Sequence, residues 1–133
     1  MNARLISALF LLTALYDGVL GLVFLAAPSA VFQWADVPPP NHLGYVQFPA
    51  ALLVIFGLMF LSVARDPFVH RDLMIYGILL KASYSGLVFW YWFTTGIPGL
   101  WKPFAVIDLV TAILFAWSYA TVQDTRVPVA DAG

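Results

Sequence analysis

Cysteine and glutamate are absent from this chain, and acidic and basic residues together make up only 10% of its 133 positions. Without cysteine there is no disulfide framework, thiol redox chemistry, thiolate zinc site or iron–sulfur cluster. Six Lys and Arg residues against seven Asp leave a formal net charge of -1, which gives no basic surface for nucleic acid. Histidine occurs only at His42 and His70. HExxH, a Ser–His–Asp order and a Gly-rich phosphate loop are all missing, so conventional hydrolase and nucleotide chemistry have no residues to run on.

Apolar residues are abundant instead. They form 62% of the chain, where soluble domains carry about 45–50%, so the chain reads as an integral membrane protein. A helix needs about 20 apolar residues to cross the hydrocarbon core. Four segments qualify, at residues 5–27, 43–64, 73–93 and 104–122. The first is too long for a secretory signal core of about 7–15 residues and contains Asp17, so it is kept as a span. Pro49 interrupts the second. That helix either begins at Pro49 or, the preferred reading, starts after Asn41 as N-cap and bends at the proline.

The connections are short. Residues 28–41 open with a proline suited to the first turn of a helix and predict a brief interfacial turn, stopped by three consecutive prolines. Residues 65–72 form a tight charged loop in which Asp66 and Asp72 cap or pair locally, residues 94–102 carry Gly and Pro punctuation, and 123–133 form a loose polar tail. Four spans with short loops predict an all-α, antiparallel up-down-up-down four-helix transmembrane bundle. Arg4, Arg65, Arg71 and Arg126 fall on one side and Lys102 on the other, which places both termini in the cytoplasm. The tryptophans read as interface anchors. Gly18, Gly21, Gly57, Gly77, Ala82, Ser85 and Gly86 suit close helix contact.

Against this background Asp17, Lys81 and Asp108 stand out, because an ionisable group inside a span is costly and marks a candidate functional site. Asp17 lies 13 residues beyond Arg4 and Asp108 lies 15 residues before Gln123. Both carboxylates are therefore about 20 Å from the same edge of the membrane. Lys81 enters about 13 Å from that edge on the third span, with a flexible stem. Three charges facing lipid would cost roughly 8–10 kcal/mol, so they are expected to turn inward and pair. If all three ionise, the cluster carries one net negative charge, and it is neutral if one carboxyl keeps a proton. Helical spacing puts Thr13 beside Asp17, Tyr84 and Ser85 beside Lys81, and Thr111 beside Asp108, predicting a polar stripe. In the competing arrangement Lys81 snorkels to the cytoplasm and Asp17 bonds Thr13. His42 and His70 fall in loops on opposite sides, too far apart to share a haem or metal.

The segments YDGVLGLVFLAAP, DVPPPNHLGY, IFGLMFL and YGILLK, within residues 5–122, resemble those of small four-helix DoxX-like membrane proteins. Some members of that group are linked to quinone-dependent oxidoreductases or act as membrane partners of redox enzymes. The resemblance implies a quinone, a lipid or a partner subunit, and no catalytic motif comes with it. The leading expectation is a non-catalytic protein of the bacterial inner membrane. It would be an accessory subunit of a larger membrane complex or a homodimer, or would dock a quinone or lipid at Asp17, Lys81 and Asp108, with neither a catalytic set nor a metal. The alternatives are a small proton-coupled transporter or exporter and, more weakly, an intramembrane isomerase using Asp and Lys as base and acid.

Overall fold

A computed structural model describes residues 1–122. The expected tail at 123–133, with Arg126, lies outside the described residues. Four long helices, α1 (Ala3–Ala26), α3 (Gly44–Arg65), α4 (Arg71–Phe93) and α5 (Lys102–Thr121), are joined through a short α2 (Pro28–Ala35) and a 3-10 turn (Gly99–Trp101). All four long elements are sufficiently long and apolar to cross a membrane. The architecture is the expected antiparallel bundle.

The ends of the helices show which local chemistry decides them. α1 starts two residues earlier than read from hydropathy because the Asn2 side chain accepts a hydrogen bond from the Leu5 amide at 2.9 Å. α3 corrects the expected cap. Its first residue is Gly44, and the Gly44 amide donates to His42 Nδ1 at 2.9 Å, so the imidazole rather than the Asn41 amide meets the opening turn. Pro49 lies inside α3 and offers no N–H to the carbonyl four residues before it. The interfacial turn is a two-turn helix, α2, with Pro28 at its start and Asp36 in the left-handed region at φ 54° at its end. In the tight loop Asp66 Oδ1 accepts from the Phe68 and Val69 amides, each at 3.1 Å.

Packing divides the bundle into two pairs: α1 lies chiefly on α3, and α4 chiefly on α5. The first pair is close because it lacks side chains at the crossing. A Cβ built on Gly21 would stand 2.6 Å from the Ala50 carbonyl oxygen, and one on Gly57 would stand 3.0 Å from that of Ala14. The expectation fails for Ala82 and Gly86, which are exposed, with open space beside Gly86. Their face of α4 turns away from the bundle. At the end holding the chain's start, the two pairs are joined by aromatic rings. Phe10 stacks on Phe115 with centroids 4.2 Å apart, and Phe60 meets Phe115 edge-on at 5.2 Å. At the opposite end Phe24 and Phe32 pack on Trp101 at 5.8 and 6.1 Å, so Trp101, read as an interface anchor, also contributes to the interior.

The buried positions of α1, namely Ile6, Phe10, Thr13, Ala14, Asp17, Gly21 and Phe24, recur every three or four residues and mark its inward face. The outward face carries Leu12, Leu15, Val19 and Leu22, all exposed. Apolar surface on both faces suits a helix packed inward on protein and outward on acyl chains. The antiparallel topology has a direct test, made clean by the absence of native cysteine. Single cysteines V69C and T95C, in the two exposed loops at opposite ends, should react with a membrane-impermeant maleimide from opposite sides of sealed vesicles. Labelling of both from one side would refute the topology.

Candidate functional site

Asp17, Lys81 and Asp108 come from α1, α4 and α5 and converge close to the middle of their helices. Lys81 and Asp17 are each 1% exposed and Asp108 8%. Lys81 Nζ lies 2.7 and 2.8 Å from the two oxygens of Asp17 and 3.0 Å from Asp108 Oδ1. An ammonium has three N–H donors, and three contacts at these distances use them all. Lys81 does not snorkel. Its stem stays within the bundle because a complete set of acceptors at the centre offsets the loss of water, which a lone buried charge would not recover. The rings of Tyr16 and Phe60 flank the ammonium, with centroids 5.4 and 5.9 Å from Nζ.

The bonding is uneven. Asp17 is held through both oxygens and Asp108 through Oδ1 alone. Among the described residues Asp108 Oδ2 makes no hydrogen bond.

Thr13 and Ser85 are buried on the same helix faces as Asp17 and Lys81, as their spacing predicts, but their hydroxyls do not join the cluster. Thr13, Ser85 and Thr111 turn their hydroxyls back to the carbonyls of Leu9, Lys81 and Ile107 on their own helices, at 2.8, 2.6 and 2.7 Å. A hydroxyl in a span satisfies itself this way at little cost, and so is not left free for a neighbour. Thr111 is only half-buried. Tyr84 donates to the Trp101 carbonyl at 3.1 Å, tying α4 to the turn before α5.

Beside the cluster the two helix pairs separate, leaving a cavity of about 440 Å³ with almost wholly apolar walls. Asp17 and Asp108 reach it from the bundle centre, and Tyr16, Tyr84, Phe24 and Trp101 are among its aromatic lining. Tyr45 and Leu52 of α3 also line it and are exposed, so it opens along that helix. A volume of this size falls at the lower end of the range for small-molecule sites, about 300–1,000 Å³.

Tyr16 is absent from the residues singled out in the sequence, yet its hydroxyl oxygen is buried without a hydrogen-bond partner among the described residues. The signal was present in spacing. Tyr16, Leu20 and Phe24 recur every four residues beside Asp17, and Trp101, Phe104 and Asp108 follow at intervals of three and four, so each set shares a helix face. Chemically the arrangement offers carboxylate groups on the wall of an apolar, aromatic chamber. Such a site can hold a small molecule with one polar end. Comparison with protein-family models, curated proteins and solved structures finds no match to this chain.

Proposed function

We propose that this membrane protein binds a small amphipathic molecule, a quinone or a lipid, with its polar head at the cluster and its apolar body in the chamber. The observation that carries the reading is the apolar, aromatic cavity that Asp17 and Asp108 of the buried cluster both line. The exposed rim along α3 supports entry from the bilayer rather than from water. The resemblance to DoxX-like proteins supports the same class of ligand. On this reading the protein works in a bacterial inner membrane as the ligand-holding, non-catalytic component of a larger membrane assembly.

The test is purification in a mild detergent, followed by solvent extraction and mass spectrometry of what stays bound, alongside titration with decyl-benzoquinone and with short-chain phospholipid. One of these should bind saturably and quench tryptophan fluorescence through Trp101. Leu53→Trp, which fills the chamber without touching a charge, should weaken that binding by about tenfold or more. A protein that retains no lipid or quinone and takes up neither would refute the proposal.

A further inference from the structure

The head group of the ligand follows from the charge left at the base of the chamber. Two carboxylates share one ammonium, and the three N–H donors of that ammonium are already used. With all three groups ionised, the cluster keeps one negative charge uncompensated. Its exposed edge is on Asp108, whose Oδ2 makes no hydrogen bond among the described residues and whose side chain lines the cavity. Among the described residues, Lys102 lies over the Trp92 ring at 4.8 Å and Arg71 over Tyr119 at 3.7 Å, and neither pairs with the cluster. Arg71 and Lys102 begin α4 and α5, ten residues before Lys81 and six before Asp108.

The walls around that oxygen are aromatic. Tyr16 and Tyr84 line the cavity with the cluster, and Phe104 lies one turn before Asp108. Aromatic faces attract cations through their negative quadrupole, most strongly where water is excluded. An uncompensated carboxylate and an aromatic enclosure are thus complementary to the same kind of group, and both disfavour an anion.

Resting on the reading of the chamber as a ligand site, we propose that its ligand is a lipophilic monocation, an amine or quaternary onium group on an apolar body. The positive centre sits against Asp108 between Tyr16 and Tyr84. The apolar body extends toward Phe24 and Trp101.

Two ions of the same shape and opposite charge isolate the effect. Tetraphenylphosphonium and tetraphenylborate both enter bilayers, and titrating the intact protein in lipid nanodiscs with each, against empty nanodiscs, requires no variant. The expected result is saturable binding of the cation, at least about tenfold tighter than the anion. Asp108→Asn should weaken cation binding by about tenfold or more. Asp36→Asn, remote from the cavity, should leave cation binding unchanged and reports on general surface charge. Equal binding of the two ions overturns the proposal, as does cation binding insensitive to Asp108→Asn in folded protein. If decyl-benzoquinone binds and the cation does not, the head-group assignment falls while the chamber remains a ligand site. If cation, quinone and phospholipid all fail to bind, the chamber reading falls with it.

Discussion

Lys81→Met is expected to leave little folded protein in mild detergent. The substitution keeps the length and apolar stem of the side chain but removes the ammonium from between Asp17 and Asp108, which are 1% and 8% exposed. Three hydrogen bonds of 2.7–3.0 Å disappear together, and two carboxylates are left facing each other in a low-dielectric interior. Removing one partner of a buried ion pair costs about 3–5 kcal/mol, a large part of the roughly 5–15 kcal/mol that holds a domain folded. Unfolding by dodecyl sulfate titration in mixed micelles, followed by tryptophan fluorescence, measures the loss. The triple variant Asp17→Leu, Lys81→Met, Asp108→Leu should recover most of the stability, because replacing a whole buried ionic cluster with apolar groups of similar volume is often neutral or favourable. Recovery of folding without recovery of ligand binding would show that the charges are kept for binding. Lys81→Met protein as stable as the parent would contradict the buried geometry.

The second large effect is expected at Gly21. Its backbone faces that of α3 so closely that an added Cβ would sit 2.6 Å from the Ala50 carbonyl oxygen and 3.0 Å from the Val54 amide nitrogen. Both are main-chain atoms, which cannot rotate aside as a long side chain would. Gly21→Val must therefore push α1 and α3 apart over part of their length, at a cost of about 1–3 kcal/mol or more in the same micellar titration. Ala50 also lines the cavity, so ligand binding should weaken with stability. Gly86→Ala is the control. Nothing lies within 4 Å of the position its Cβ would take, and its effect should stay within about 0.5 kcal/mol. Similar losses at the two sites would show that α1 and α3 do not approach as described.

Much of this was legible before any coordinates, and the reason is the cost of charge in hydrocarbon. Asp17, Lys81 and Asp108 had to be accounted for, and counting helical rise placed both carboxylates at one depth, which the convergence on Lys81 Nζ bears out. The four long helices follow equally directly from run length. Less legible was which face of each helix turns inward. In a soluble bundle polarity marks the outside, but here Leu12 and Val19 are exposed while Thr13, Gly21, Lys81 and Ser85 are buried. The hydroxyls of Thr13, Ser85 and Thr111 misled because bonding to the carbonyl four residues back needs nothing beyond the local helix. The cavity was beyond sequence reading, since it arises from the distance between the two helix pairs rather than from any one segment. Tyr16 became significant only with it.

The unequal grip of Lys81 on its two acids separates two mechanical duties. Asp17 belongs to α1, in one helix pair, and Lys81 to α4, in the other, so the two-oxygen grip rivets the halves of the bundle together. Asp108 belongs to α5, already packed on α4, and its single bond spans nothing that would otherwise come apart. A guest can draw that carboxylate toward itself while the rivet stays closed. On the proposed reading of the chamber, occupation and release can therefore proceed without the barrel of helices ever splitting.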